Sequence, residues 1–132
     1  MKYIVFDLEW NSSEHRNRLV KEPIVLHGEI IQIGAVMLNE QMEEIGSFEA
    51  KIRPEFYKRI NRKIEELTGI TDKDLENALL FTDAINNFKN WCGDDSILLT
   101  WGPGHAMYRC SKTTSLCMIW ITDGFRKNSM HS

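Results

Sequence analysis

Three features of the sequence predict a single α/β domain built around a mixed sheet. Four short apolar runs are typical of strands, namely residues 2–6, 29–38, 45–52 and 96–101. Apolar residues at helical spacing fill the interval between the third and the fourth run. The length of 132 residues suits one domain. A strand reached through helices lies parallel to its neighbour, and a right-handed crossover places those helices on one face of the sheet.

The first three strands are predicted to include a hairpin. Residues 2–6 alternate and then become fully apolar, as a strand buried in a sheet does. The polar and charged residues 11–27 follow and are interpreted as a surface loop. Glu29–Leu38 is rich in Ile and Val, and after a short turn Ile45–Ile52 supplies its antiparallel partner. Pro54 ends the third strand because proline has no N–H for the ladder.

Two helical segments are predicted directly after the third strand. Ile60, Ile64 and Leu67 recur at i, i+4 and i+7, which indicates a short amphipathic helix. Gly69 ends this helix because glycine readily adopts the left-handed conformation of a C-cap. In the stretch 71–74 (TDKD), a threonine followed three residues later by an aspartate is the pattern of a capping pair, which starts a further helical turn.

A third helix leads into the last predicted strand. It is predicted to open at Thr82 and to end at Gly93, and it carries the apolar residues Ala84, Ile85, Phe88 and Trp91. The apolar run Ser96–Trp101 then predicts a buried strand. Residues 102–104 (GPG) break the chain immediately afterwards.

Composition limits the function only broadly. The net charge of −3 gives no overall attraction to nucleic acid, which argues against a protein that merely coats it. It does not argue against a nuclease, because bound divalent cations supply positive charge at the phosphate. No run approaches the roughly 20 apolar residues of a membrane span, and Asp7 interrupts the first apolar run too early for a signal peptide. A cytoplasmic protein without a membrane partner is expected. The cysteines Cys92, Cys110 and Cys117 lack metal-ligand spacing and are expected to be reduced.

Asp7 and Glu9 are the candidate metal ligands. Residues at i and i+2 of a strand point to the same face, while Leu8 points to the other. The carboxyl end of a strand is where open α/β sheets bind ligands. Two carboxylates this close repel each other unless a cation lies between them, and their hard oxygens suit Mg²⁺ or Mn²⁺. Taken alone, such a pair is also compatible with an acidic strand end that faces water.

Four segments together resemble the DEDD-type 3′–5′ exonucleases in order and spacing. They are FDLEW at 6–10, GEIIQIGAV at 28–36, IEELTGIT at 64–71 and LLTWG at 98–102. The nearest resemblance is to small exoribonuclease-like proteins of the DEDDh type, which end their active site with a histidine, and it covers residues 2–104. It implies a ribonuclease H-like mixed sheet of order β-β-β-α-β with helices packed on it. It also implies two-metal hydrolysis, with Mg²⁺ or Mn²⁺, at the 3′ ends of RNA or single-stranded nucleic acid.

The resemblance also implies roles for individual residues. Asp7 and Glu9 match the first motif as catalytic, metal-binding residues, and their neighbours Leu8 and Trp10 are assigned to substrate binding. The loop that receives the terminal nucleotide matches Leu67, Thr68, Gly69 and Ile70. An apolar side chain such as Leu67 wedged against a base face binds without regard to sequence. The alternative is that Leu67 is simply the last core residue of its helix. Glu29 and Gln32 are expected to be structural or to flank the groove.

The second half of the expected active site departs from the family pattern. Trp101 and Gly102 match the approach to the second motif, but the position of its aspartate holds His105. A histidine does not replace a carboxylate's charge and suits softer ions than Mg²⁺. No third motif follows: His131 has no acidic residue after it, and the remaining histidines of the early loop, His15 and His27, are interpreted as surface groups.

Residues 105–132 are predicted to be an atypical tail, in which residues 116–122 are the alternative for a strand, and residues 1–104 the N-terminal part of the family fold. The pattern is lost abruptly at residue 105, and moving the frame of codons 117–124 back by one base permits the string VYDMDYRW, which is closer to a family continuation. The hypothesis is therefore a truncated or out-of-frame product that lacks the usual C-terminal strand and helix. Apolar sheet surface would then be exposed, and marginal stability is expected.

Three other functions stay open. One is a catalytically inactive exonuclease fold that binds nucleic acid or a protein partner. Another is a non-functional truncated product. The third is a zinc protein that uses His105, Cys110 and Cys117, which has weak support because the spacing matches no zinc finger and a fourth ligand is not evident.

Overall fold

A five-stranded sheet in the order β3-β2-β1-β4-β5 organises the chain. The computed structural model describes residues 1–12 and 28–100 and, as backbone alone, 106–110. The strands are β1 (Lys2–Asn11), β2 (Glu29–Leu38), β3 (Glu44–Lys51), β4 (Ser96–Thr100) and β5 (Ala106–Cys110). The helices are α1 (Arg62–Thr68), α2 (Asp72–Leu75) and α3 (Phe81–Cys92). The α/β class and the mixed sheet predicted from the sequence are confirmed.

The central strand β1 has neighbours of opposite direction. It pairs antiparallel with β2 from Tyr3 to Asn11, but parallel with β4 only from Lys2 to Phe6. β3 pairs antiparallel with β2, which confirms the predicted hairpin, and β5 pairs antiparallel with β4. The helices connect β3 to β4, so the parallel pair is made by the predicted helical crossover.

Three expectations about the elements were wrong. β1 continues to Asn11 instead of closing with the acidic pair at Glu9, because β2 offers it ladder partners along its whole length. The sheet does not end at β4, since β5 adds a strand from within the predicted tail. α3 begins at Phe81 with Leu80 as its N-cap and without a side-chain cap, so Thr82 lies inside the helix. The alternative strand at 116–122 and a C-terminal helix fall outside the described residues.

α3 covers one face of the sheet with its apolar side. Ile85 and Phe88 are buried against strand residues such as Ile4 and Ile33 in one hydrophobic cluster. The ring of Phe88 lies 5.3 Å from that of Phe48, centroid to centroid, which is within the range of favourable aromatic pairs. Burial of such side chains supplies most of the free energy that holds a helix of this length in place.

α1 and α2 are held by the caps that the sequence predicts. Gly69 has a φ of 73°, a left-handed conformation that favours glycine, and its N–H donates to the carbonyl of Glu65 at 2.8 Å. Thr71 and Asp74 form the reciprocal capping box of α2. A second, smaller hydrophobic cluster lies beneath these helices and consists of Ile31, Ile60, Ile70 and Leu75.

Candidate active site

Asp7 and Glu9 lie on β1 just beyond Phe6, the last residue that pairs with β4. Because side chains alternate along a strand, both carboxylates are on the face opposite to the one that α3 covers. Asp7 is exposed and Glu9 is partly buried. The residue opposite Asp7 on β2 is Gly34, and a Cβ built there would have no described atom within 4 Å. No described side chain therefore fills the space above Gly34, beside Asp7.

The surroundings of Glu9 disfavour its charged form. Partial burial raises the pKa of Glu9 above its ordinary value, and the neighbouring Asp7 raises it further. Asp7 accepts a hydrogen bond through Oδ1 from the backbone N–H of Leu8 at 3.0 Å. The register of β1 against β2 shifts between Glu9 and Trp10. Such a bulge re-aims nearby side chains and is frequent beside active sites.

The donor set fits part of a magnesium or manganese site. Asp7 and Glu9 supply two hard oxygen ligands on one face of β1, and a divalent cation between them would relieve their repulsion. Among residues 1–12 and 28–100, His, Cys, Asp and Glu form no group of three or more that holds a metal ion. Further protein ligands would have to come from other parts of the chain. Residues His105 and Cys117, which the zinc alternative needs, lie outside the described residues.

The segment assigned to the terminal nucleotide divides into an exposed and a buried part. Leu67 is 82% exposed, so the alternative that it is the last core residue of its helix is wrong. Ile70 is 4% exposed and packs in the smaller cluster, so its side chain does not face a ligand. The Thr68 hydroxyl donates to the carbonyl of Ile64 at 2.7 Å and accepts from the N–H of Ile70 at 3.1 Å. The solvent-exposed groups of this loop are therefore the Leu67 side chain and the backbone at Gly69.

Leu8 and Trp10 are not brought together with the carboxylates. Both side chains are partly buried and pack against the cluster beneath α3. They therefore belong to the opposite face of the sheet from Asp7 and Glu9. Gln32 does share the carboxylate face, where it pairs with Glu9 in register and donates to Glu49 Oε1 at 3.0 Å.

Asn11, which the sequence analysis placed at the start of a loop, is a buried anchor. Its Nδ2 donates to the carbonyls of Tyr57 and Arg59, both at 3.0 Å. Its Oδ1 accepts from the N–H of Asn61 at 2.8 Å. Asn61 is the N-cap of α1, where its side chain accepts from Lys63 N at 2.9 Å. Asn11 thus ties the strand that carries the carboxylates to the start of the helix that carries Leu67.

Glu29 on the neighbouring strand β2 likewise anchors its strand, here to the backbone of residues 55–57. It pairs with Asn11 in register and is buried. Its carboxylate accepts from the backbone N–H groups of Glu55, Phe56 and Tyr57, the shortest bond being 2.6 Å to Tyr57. Glu29 is therefore structural, one of the two roles expected for it. A charged residue at the head of the apolar run 29–38 was the signal that it had buried partners.

The fold and the position of the carboxylate pair define a class of protein. A mixed sheet with helices packed on it is the fold of the DEDD-type exonucleases of the ribonuclease H-like superfamily. The chain belongs to the exonuclease family, because the family model described as Exonuclease (RNase_T) matches residues 4–118. Exonucleases of the DEDDh type depend on divalent metal ions.

Similar proteins include one polymerase and several solved nucleases. The chain is 33% identical over 96 residues to the DNA polymerase III PolC-type of Bacillus subtilis (strain 168), a match that covers 73% of this chain and 6% of the polymerase. The nuclease domain of 3′hExo, a DEDDh family member bound to rAMP, is 26% identical to this chain with a TM-score of 0.62. The match covers 76% of this chain and 52% of that domain.

Two further structures are similar in fold. The structure titled 3′-end specific recognition of histone mRNA stem-loop by 3′-exonuclease is 24% identical, with a TM-score of 0.63 and coverage of 76% of this chain and 36% of that one. E. coli Exonuclease I in complex with a dT13 oligonucleotide is 12% identical, with a TM-score of 0.56 and coverage of 76% and 20%. The chain thus covers between 6% and 52% of the length of these proteins. Within its described residues, no helix is long and apolar enough to cross a membrane.

Proposed function

We propose that this chain binds the 3′ ends of RNA or single-stranded nucleic acid and contributes Asp7 and Glu9 to metal-dependent 3′–5′ hydrolysis. The observation that carries the proposal is the pair itself: two carboxylates on an open sheet face, with the pKa of Glu9 raised by burial and by Asp7. An uncompensated like-charge pair is costly unless a cation binds there. Proteins of similar fold have been solved bound to rAMP and to a dT13 oligonucleotide, and a third recognises a histone mRNA stem-loop.

The residues of this chain would act in two ways. Asp7 and Glu9 would hold the metal ions, which we propose to be Mg²⁺ or Mn²⁺ because both ligands are hard oxygens. When bound, such ions supply Lewis-acid stabilisation of the phosphodiester and of its leaving oxygen. Leu67, which is 82% exposed, would contact the face of the terminal base without regard to sequence. The buried contacts of Asn11 would keep these two parts in register.

The test is digestion of single-stranded RNA and DNA carrying a label at the 5′ end, in Mn²⁺ and in Mg²⁺. The proposal predicts a ladder of products shortened from the 3′ end by wild type and none by Asp7→Asn. A 3′-phosphate on the substrate should block cleavage, whereas a 5′-phosphate should not. Absence of any shortened product with folded wild-type protein would reject autonomous exonuclease activity.

A second candidate is a fold that binds metal and strand without cleaving. It is favoured by the finding that the described residues offer two carboxylates and no third metal ligand nearby. Calorimetric titration with Mn²⁺ separates the two candidates. Heat of binding that is present in wild type and lost in Asp7→Ala, together with no cleavage, would select the binding function.

The nature of residues 105–132 is a separate proposal. We propose that the reading frame is displaced in this stretch, since His105 stands where the family pattern has an aspartate. The stretch nevertheless contains β5, and the family match extends to residue 118. The nucleotide sequence across codons 100–110 decides the question. Stop codons directly downstream in the alternative frame would reject the displacement.

The place where the chain works is likewise a proposal. We expect the cytoplasm, because the three cysteines lack the pattern of a disulfide framework. Fractionation of cells that express a tagged chain would test this, and recovery in a secreted or periplasmic fraction would contradict it.

A further inference from the structure

The segment 51–63, called the basic segment here, differs in charge from the rest of the chain. It holds six of the 16 Lys and Arg residues and a single acidic residue, Glu55, although the net charge of the chain is −3. Its cations are Lys51, Arg53, Lys58, Arg59, Arg62 and Lys63. Such a local concentration of one sign creates a field that attracts the opposite sign.

Three of these cations have no carboxylate partner among the described residues. Lys51 lies 3.8 Å from Glu49, and Arg62 lies 3.6 Å from Glu66. Lys58, Arg59 and Lys63 are exposed and make no ion pair with any residue in the described ranges. A cation that contacts a phosphate of a nucleic acid releases the counterions condensed on that strand, and this release favours binding.

The basic segment is fixed next to the candidate active site. Asn11, two residues beyond Glu9, holds the carbonyl of Arg59 at 3.0 Å and the N–H of Asn61 at 2.8 Å. The backbone of this segment therefore lies against the end of β1. Because these bonds use only the backbone of Arg59, its exposed guanidinium is left to bind a ligand.

α1 joins the basic segment to the exposed Leu67. Lys63 and Leu67 are four residues apart on α1 and lie on the same side of it. Both are exposed, so one stripe of this helix presents a cation and then an apolar side chain. That order matches a nucleotide whose base lies on Leu67 and whose neighbouring phosphate lies towards Lys63.

We propose that Lys58, Arg59 and Lys63 form a binding track for the phosphates that precede the 3′-terminal nucleotide of a single-stranded RNA or DNA. The track rests on the proposed function, because Leu67 and the carboxylate pair set the position of the 3′ end. It binds the backbone and not the bases, so affinity depends on strand length and salt but not on sequence. The strand crosses the basic segment and ends at the carboxylates.

Fluorescence anisotropy with 5′-labelled oligonucleotides tests the track. The strands are a 12-mer and a dimer, each with a free or a phosphorylated 3′ end, and Ca²⁺ replaces Mg²⁺ to limit cleavage. The variant is Lys58→Ala/Arg59→Ala/Lys63→Ala, and Lys89→Ala on α3, beyond the opposite face, is the matched control. Melting curves check that both variants fold, which is expected because the altered side chains of the triple variant are exposed.

The expected result is a change in how strongly oligonucleotide affinity depends on salt concentration. Each phosphate contact with a single strand contributes about 0.7 to the slope of log K against log salt, so the triple variant should lower the slope for the 12-mer by about 2. Lys89→Ala should leave the slope unchanged. RNA and DNA 12-mers of different sequence should respond alike, and the dimer should lose little affinity.

The failures are distinguishable. An unchanged slope in the triple variant, with binding that still needs a free 3′ end, overturns the track and leaves the proposed function standing. A reduced slope with no preference for a free 3′ end supports the track and rejects the 3′-end function. No binding of any strand by wild type overturns both. Binding of polyglutamate as tightly as of the 12-mer would show a general anion surface and would also overturn the track.

Discussion

The two faces of the sheet are built for different purposes, although they share the same strands. On β1, Ile4 and Phe6 are buried beneath α3, where Phe88 packs with Phe48 at a centroid distance of 5.3 Å. On the other face of the same strand, Val5 is 42% exposed. Asp7 follows it, and the glycine opposite adds no side chain. The covered face supplies stability, whereas the open face keeps charges that no described side chain neutralises.

The polar side chains of the sheet differ in whether the fold supplies them with partners, and this difference indicates which of them can bind a ligand. The buried polar side chains Asn11 and Glu29 are fully engaged with the backbone of residues 55–61. Asp7 and Glu9 have no comparable set of partners among the described residues, and burial and mutual repulsion raise the pKa of Glu9. Charged groups that are held in place but not compensated are candidates for binding a ligand of opposite charge.

The largest expected effect is on the covered face. Phe88→Ala should lower the free energy of unfolding by about 3–5 kcal/mol, because it leaves a cavity beneath α3 in a fully packed cluster. Urea denaturation followed by circular dichroism measures this. If Phe88→Ala does not fold, Phe88→Leu should fold with a smaller loss of about 1.5 kcal/mol.

Val5→Ala is the matched control on the open face. Its side chain is 42% exposed, so the loss should be less than about 1 kcal/mol. Equal losses for Val5→Ala and Phe88→Ala would contradict the distinction between a stabilising and an open face.

The second-largest effect on stability is expected at Asn11, which ties β1 to the start of α1. Asn11→Ala should lower the free energy of unfolding by roughly 3 kcal/mol, because an unsatisfied buried polar group costs about 1–3 kcal/mol and three backbone groups lose their partner. Urea denaturation measures the loss, and oligonucleotide affinity should fall as well, since the position of α1 relaxes.

Asn39→Ala is the control for the anchor. Asn39 also makes three side-chain hydrogen bonds, with Gln41 N, Glu43 N and Glu43 Oε2, but at an exposed turn where water replaces them. Its loss should be below about 1 kcal/mol. A similar loss for both asparagines would show that the burial of Asn11 does not matter.

The third effect is on the open face and concerns metal binding instead of stability. Asp7→Asn should weaken Mn²⁺ binding by more than about 100-fold, because even partners outside the ligand shell are worth about 10–100-fold. In chelator, the same variant should be at least as stable as wild type, since it removes the neighbouring charge that raises the pKa of Glu9. Calorimetry with Mn²⁺ and melting in chelator check the two halves. A clear loss of stability in chelator would show that Asp7 is structural.

Local signals in the sequence predicted the parts of the fold that depend on neighbours in the chain. The cap at Gly69, the capping pair of Thr71 and Asp74 and the shared face of Asp7 and Glu9 each involve residues within four positions. Backbone geometry and period alone decide such features. They were predicted correctly for that reason.

Features that depend on distant residues were missed. The partners of Asn11 are 46 to 50 positions away in sequence, so no local pattern indicates that it is buried. Leu67 was placed in a helical stripe with Ile60, but α1 begins only at Arg62, so Ile60 belongs to the loop and the spacing was accidental. The last two residues of β1, Trp10 and Asn11, were missed because their ladder partners on β2 are distant in sequence.

The smallest effect is expected at α2, which closes the smaller cluster beside the open face. Hydrogen bonds from the backbone and side chain of Thr71 hold the pKa of Asp74 below its ordinary value. A depressed pKa means that the carboxylate stabilises the fold above its unfolded-state pKa and that this contribution is lost as the pH falls through the folded-state pKa. Asp74→Asn should therefore be less stable than wild type at pH 7 and approach it at low pH. Urea midpoints across this range measure the difference, and a constant gap would mean that the capping box acts without the charge.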